Sequence, residues 1–199
     1  QKGAKIVKDV NKTVAAIIGI NPAARTTCVK PSGNASVLLQ TASGIHAEHS
    51  PRYIRNIQMN KESEITQAIV KSNPYMIEES VWSANGTDVV ISFPIIPNKG
   101  SMYKDDLVGV KHLELVAKAQ KYWVIASTNE ELCADEGVRH NVSNTIIVDD
   151  WDEVEKYVFE NRYSFSGISF LSAMGDKDYN QAPNTAVIDD KQMVKKYGP

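Results

Sequence analysis

Residues 28 to 50, CVKPSGNASVLLQTASGIHAEHS, contain a run of residue types suited to holding an anion. Pro31 lacks an N–H and fixes the backbone, while Ser32 and Asn34 are residues that begin helices. Gly33 lets the chain approach a ligand closely or adopt a positive φ. A helix that starts here presents backbone N–H groups and the positive end of its dipole, which together bind phosphate without a lysine. Ser32, Asn34 and Ser36 could add side-chain donors. The same residues also suit an ordinary strand-to-helix turn with a good cap, and the bare pattern does not choose between the two. It is neither a GxxxxGK[ST] loop nor a dinucleotide fingerprint.

Other reactive side chains cluster nearby. His46, Glu48 and His49 follow the predicted helix. His-x-x-His is one residue short of the i, i+4 helical pair and has no evident third ligand, so a hydrogen-bonded loop is expected rather than a zinc site. Arg52 and Arg55 are three apart and would face opposite sides of a strand, so at most one could meet the same anion. Cys28 and Cys133 have no neighbour that would lower a thiol pKa, and buried, inert thiols are expected. With no GxSxG elbow in the chain, a hydrolase of that type has no support.

The elements that must position these groups follow from periodicity. Residues 4 to 18 and 62 to 72 read as amphipathic helices, ended by Gly19 and by Asn73-Pro74. RTTCVK (25 to 30) reads as a strand running into Pro31, Asn34 to Gln40 as a short helix closed by Ser43-Gly44, and residues 52 to 59 as a strand with one solvated or ligand-facing side. Residues 80 to 95 carry a hairpin signal, with Asn85-Gly86 as a type I′ turn pair. A long helix with an acidic start is predicted over 105 to 127, a strand over 141 to 148, a helix over 150 to 162 and a strand over 165 to 172. Strands alternating with helices predict an α/β fold.

Composition narrows the function classes. The chain has 199 residues, 42% hydrophobic, enough for a sizeable core. Its 22 basic and 24 acidic residues are interspersed and leave a formal charge of −2, so nothing points to nucleic acid or an anionic membrane surface. Two distant cysteines fit a reducing, cytoplasmic setting, and no window suits a membrane span or a signal peptide. The first residue is Gln1 and the last are KKYGP, which suggests a single piece, residues 1 to 199, cut at both ends from something longer.

Beyond composition, TTCVKPSGNASVLLQTASGIHAEHSPRYIRN (26 to 56) resembles the segment of adenosylcobalamin-dependent, class II ribonucleotide reductases that usually reads TT-V-KPSGT-S, a TSSGIH-like turn and a Tyr-Ile-Arg strand. LELVAKAQKYW (113 to 123), NVSNTIIV (141 to 148), GISFLS (167 to 172) and DYNQAP (178 to 183) resemble further pieces of that family in the same order. The resemblance implies the C-terminal portion of a ten-stranded α/β barrel of the ribonucleotide reductase type. It also implies that Pro31, Ser32, Gly33, Asn34, Ala35 and Ser36 hold the substrate's phosphates, although Asn34 replaces the usual threonine.

The activity implied for the whole enzyme is replacement of the ribose 2′-hydroxyl of a ribonucleoside tri- or diphosphate by hydrogen. Adenosylcobalamin would start thiyl radical chemistry, and a dithiol reductant such as thioredoxin would be the partner. No catalytic residue and no metal ligand is expected on this chain. NEELCADEG (129 to 137) has the letters of the family's Asn-x-Cys-x-Glu loop in the wrong spacing, so neither cysteine takes a radical role and the piece alone is expected to be inactive. A fragment of a class I or III reductase, or a non-catalytic nucleotide-binding α/β module, would share the same loop.

Overall fold

The computed structural model describes residues 1–33, 35–174, 179–187 and 189–197. They form two compact units. The first comprises Gln1–Ala47 and Lys104–Met174, the second Glu48–Tyr103 and the stretch beyond Met174.

In the first unit, helix α1 (Lys2–Ile18) ends at Gly19, whose φ of 75° supplies the left-handed cap and whose N–H reaches the Ala15 carbonyl. The predicted helix is therefore present, but its packing runs against the expected apolar face. Ala4 and Ala15 are its buried residues, and Ile6, Val10, Val14 and Ile17 are about half exposed or more. A Cβ on Gly3 would lie 3.3 Å from the Trp123 ring, so small residues let α1 lie close to the segment around 120–127.

The long helix expected from 105 to 127 is divided. Lys104–Asp106 is a separate 3-10 turn, and α4 (Gly109–Ala119) starts at a glycine with φ +50°. The chain continues through a π-helical turn over Gln120–Val124 and a 3-10 turn over Ile125–Ser127. The acidic pair Asp105-Asp106 thus precedes the helix instead of opening it. Leu113, Val116 and Val124 from this helical run pack with Val142, with Ile146 and Val148 of β4 (Ile146–Val148), and with Val154 of α5 (Trp151–Glu160). These residues are the core of the unit. Asp150 caps α5 by accepting the Glu153 N–H at 3.0 Å.

β4 pairs in parallel with β5 (Phe170–Ser172), forming a two-stranded sheet. The strands predicted over 141 to 148 and 165 to 172 are thus present only in their last three residues. Residues 25 to 30 do not form a continuous strand: they make two isolated bridges, Arg25 to Thr128 and Val29 to Val142.

The second unit is built on a four-stranded antiparallel sheet ordered β2-β3-β1-β6, from β1 (Tyr53–Asn60), β2 (Ile77–Glu79), β3 (Asp88–Ile95) and β6 (Asn184–Ala186). β1 pairs with β3 from Tyr53–Ile95 to Asn60–Asp88. The hairpin expected at Asn85-Gly86 is a longer loop over 80 to 87. Gly86 has φ +61° but Asn85 does not share a positive φ, so the turn is not type I′. The Ser83 hydroxyl oxygen instead accepts the N–H groups of Thr87 and Asp88. Helix α3 (Glu64–Ser72), capped by Ser63, and helix α6 (Asp190–Tyr197) complete the unit.

The fold is α/β, as expected. Among the described residues its strands form two separate sheets and do not close the ten-stranded barrel that the resemblance implies. No helix among them is long and apolar enough to cross a membrane. Asp150→Ala removes the α5 cap and is expected to cost about 1 kcal/mol, read as a lower urea midpoint with unchanged slope. Equal stability of the variant would remove the cap from the account.

Candidate functional site

The loop that follows Val29 is held from below by a set of long-range hydrogen bonds. The Trp123 indole N–H donates to the Cys28 carbonyl at 3.1 Å, and His140 Nδ1 contacts the Thr27 carbonyl at 2.9 Å. The Thr27 hydroxyl donates to the Trp123 carbonyl at 2.6 Å and is paired with the Ser127 hydroxyl. The Ser143 N–H closes the Val29 bridge at 2.9 Å. Residues 27 to 29 therefore leave the core in one direction, and Pro31 to Ser36 project from a fixed base.

Within the loop, Ser32 is the hub. Its hydroxyl accepts the Ser36 N–H at 3.0 Å, and its carbonyl accepts both the Ser36 hydroxyl at 2.6 Å and the Ser43 hydroxyl at 3.1 Å. Ser36 is buried and its side chain turns back onto Ser32, so it braces the loop rather than offering the outward donor expected of it. Pro31, Gly33 and Ala35 are exposed; Asn34 lies outside the described residues.

Helix α2 (Ala35–Leu38) is a single turn. It ends when Gln40 adopts φ +52° and the N–H groups of Gln40 and Thr41 reach the carbonyls of Val37 and Ser36. The closure expected at Ser43-Gly44 thus comes earlier. One turn carries little macrodipole, so the helix-dipole contribution expected for anion binding is small here.

Two glycines differ in a telling way. Gly44 has φ +63°, and a Cβ there would lie 2.9 Å from the Lys30 carbonyl oxygen and 3.3 Å from Pro31 Cα. It is required by the fold, because the returning chain presses on the base of the loop. Gly33 has no left-handed φ, and a Cβ there would meet nothing within 4 Å. Neither a positive φ nor side-chain crowding demands a glycine at 33.

His46 serves the loop as well. Its Nδ1 is 2.9 Å from the Ser43 carbonyl and its Nε2 accepts the Thr145 N–H at 3.1 Å, which fixes the tautomer with the proton on Nδ1. His112 lies edge-on to His46 with centroids 5.8 Å apart, and its Nε2 is 3.0 Å from the Ile45 carbonyl. Burial lowers the His112 pKa below its ordinary value, and the neighbouring His46 lowers it further, against the hydrogen bond to Ile45. Sequence reading did not connect Gly44, His112 and the loop, because their partners lie far along the chain.

Glu48 and His49 belong to the other unit. The Tyr53 hydroxyl donates to the Glu48 carboxylate at 3.1 Å, and burial with the Glu48 charge pushes the Tyr53 pKa up to about 12. No group of three metal-ligating side chains occurs among the described residues. Arg52 pairs with Asp190 at 3.0 Å, while Arg55 sits opposite Phe93 in the sheet. Both cysteines are free and neither is buried as expected: Cys28 is exposed, since residue 28 is held by its backbone carbonyl, and Cys133 is half-buried.

With this geometry in view, the fold has a solved counterpart. The structure superposes on a crystal structure of a B12-dependent (class II) ribonucleotide reductase with a TM-score of 0.74 and 19% identity, covering 100% of this chain and 27% of that one. The α/β arrangement is therefore that of a segment of the class II reductase fold.

Sequence relatives carry the same name. The chain is 28% identical over 91% of its length to a probable adenosylcobalamin-dependent ribonucleoside-triphosphate reductase of Dictyostelium discoideum. It is 25% identical over 94% to the adenosylcobalamin-dependent enzyme of Euglena gracilis and 24% over 92% to that of Lactobacillus acidophilus. The resemblance read from the motifs is thus borne out. The chain spans 22 to 24% of the length of these curated relatives. No family model matches it.

Two outcomes test the local physics. Gly86→Ala, at φ +61° with open space around it, is expected to cost about 1 kcal/mol; Gly44→Ala adds a clash with the Lys30 carbonyl and is expected to cost about 1–3 kcal/mol more. Equal urea midpoints for the two variants would remove the close approach at Gly44. The depressed His112 pKa means that the folded state binds fewer protons than the unfolded chain between the folded value and about 6.5. This contribution to stability is therefore full above pH 6.5 and declines as the pH falls toward the folded pKa. His112→Gln is expected to flatten that part of the stability profile between pH 7.5 and 5.5, and an unchanged slope counts against it.

Proposed function

We propose that this chain is part of an adenosylcobalamin-dependent ribonucleotide reductase and that the loop from Pro31 to Ser36 holds the phosphates of its ribonucleotide substrate. The observation that carries the reading is similarity along nine-tenths of the chain to relatives of that name. The loop supplies the physical support. Gly33 is open on its outer side, so a phosphate can approach the backbone there. Pro31, Gly33 and Ala35 are exposed, and Ser32 and Ser36 hold the shape of the loop through their reciprocal hydrogen bonds. Backbone donors read phosphate and ignore the base, which suits an enzyme that accepts several ribonucleotides.

The overall reaction replaces the ribose 2′-hydroxyl by hydrogen; the hydroxyl leaves as water and a dithiol, such as that of thioredoxin, becomes a disulfide. Adenosylcobalamin, when bound in the whole enzyme, supplies the radical chemistry. The role read for this chain is to position the substrate. A cytoplasmic setting fits two free thiols.

The chain is further read as the C-terminal part of the reductase's ten-stranded barrel. Two features support that reading. The α1 face from Ile6 to Ile17 is aliphatic and exposed, and Phe170 and Leu171 on the two-stranded parallel sheet are also exposed. Parallel sheets are ordinarily covered on both faces, so this sheet suits further strands and helices from a longer polypeptide.

Anaerobic reduction of ribonucleotides by the full-length protein, with a dithiol and with or without adenosylcobalamin, tests the activity. Deoxynucleotide formed only with the cofactor is expected. Product without it points to another class of reductase, and none under either condition points to a binding module. Gly33→Val meets no protein atom near the new Cβ, so the fold is expected to be kept while KM rises roughly ten- to a hundredfold through lost charge-assisted hydrogen bonds. Ser32→Asp is expected to act in the same direction by repelling phosphate. Unchanged KM and kcat in both variants would refute the loop assignment.

A further inference from the structure

The second unit contains a cleft that the phosphate-loop reading does not use. It encloses about 410 Å³, a size suited to a small ligand, and is lined by Asn56, Gln58, Trp82, Val90, Tyr179, Gln181 and Pro183. None of these side chains is charged. Asn56 and Gln58 are two apart on β1, and Val90 is the β3 partner of Gln58, so the three share one face of the sheet and form the floor.

The walls are aromatic. Trp82 and Tyr179 meet edge to face with centroids 5.8 Å apart and an interplanar angle of 83°, yet they remain 60% and 47% exposed. Hydrogen bonds tie the loop that carries Trp82 to residues 180 and 181 beside Tyr179. The Trp82 indole N–H donates to the Asn180 carbonyl at 3.0 Å. Gln181 accepts the Val81 N–H at 2.9 Å and donates to the Glu79 carbonyl at 2.7 Å, and it holds φ +58°, a conformation that side-chain-bearing residues keep only where the surroundings impose it.

On the floor, Asn56 is fully engaged, donating to the Ala182 carbonyl and accepting from the Ser92 hydroxyl. Gln58 is different. One of its amide hydrogens goes to Asp88 at 2.9 Å, which fixes the orientation of the carboxamide. Among the described residues its carbonyl oxygen accepts no hydrogen bond, so an oriented donor and acceptor remain side by side.

We propose that this cleft binds an uncharged nitrogen heterocycle of the adenine type, stacked on Trp82 with its amino edge toward Gln58. A glutamine carboxamide pairs bidentately with the amino group and adjacent ring nitrogen of adenine, and an exposed indole face stacks a base. The uncharged lining gives no hold on a phosphate, so the base is recognised on its own. This goes beyond the reductase reading and rests on different residues in a different unit.

The test is titration of the full-length protein with free adenine, followed by NMR at the Trp82 indole N–H, assigned by its loss in Trp82→Phe, and at the Gln58 side-chain amide. Saturable shifts at both are expected. Trp82→Ala is expected to weaken adenine binding roughly ten- to a hundredfold. Gln58→Ala, at an exposed strand position, is expected to weaken it while leaving the fold intact. Ser32→Asp is expected to leave it unchanged, so a failed phosphate loop and a failed cleft are distinguishable. Absence of shifts at millimolar adenine, equal affinity in the Trp82 and Gln58 variants, or a Trp82 shielded from acrylamide quenching by other protein surface in the full-length protein each overturns the proposal.

Discussion

The helical run from Gly109 to Ser127 is the constraint on which the first unit depends, and the π-helical turn within it is what makes the run useful. Gln120 and Val124 are both buried on this stretch, and the Gln120 side-chain amide donates to the His140 carbonyl and the Ser166 hydroxyl at 3.0 Å each. Trp123 and Ser127 meet residues 27 and 28 on another side. A wider turn alters the angular phase of the residues after it, so one helix addresses several segments that a uniform α-helix would reach less evenly. The polar groups buried here are matched, as the low dielectric of a core demands.

The geometry of the loop around Ser32 is a consequence of that scaffold more than of the loop's own sequence. Ser32 and Ser36 fold the turn onto itself, but its base is set by Trp123, His140 and Ser143, and its return by Gly44 against Lys30. The two glycines differ in how closely they are packed. Gly44 is pressed by the Lys30 carbonyl, whereas a Cβ at position 33 would have open space around it.

Much of this was legible in the sequence where the signal is local. Helices α1, α3 and α5 follow from periodicity, with Gly19 ending α1 as read; the caps at Ser63 and Asp150 emerge only in the structure. Strand signals were less informative because β-branched runs describe what a segment can pair with, not whether a partner is present. Residues 25 to 30 accordingly make single bridges, and Asn85-Gly86 sits in a longer loop because Ser83 captures the amides that a tight turn would have used. β6 and α6 carried no signal strong enough to be read. At the site, the loop is singled out by its residue types alone; the turn of Ser36 onto Ser32 is local but unsignalled, and the support from His46 and His112 depends on contacts to distant residues.

The anchoring of the loop also sets an order of events during synthesis. The bonds that fix residues 26 to 28 reach partners 95 to 101 positions later, at Trp123 and Ser127. Such non-local contacts close slowly, because the intervening chain must give up its freedom before they form. While the ribosome has not yet released Ser127, the segment that carries the Pro-Ser-Gly turn has none of these anchors. α1 can coil as soon as it emerges, and the loop matures only after the helix from Gly109 onward has arrived. A piece of chain ending before that helix would contain every letter of the Pro-Ser-Gly motif and none of the geometry that gives it shape.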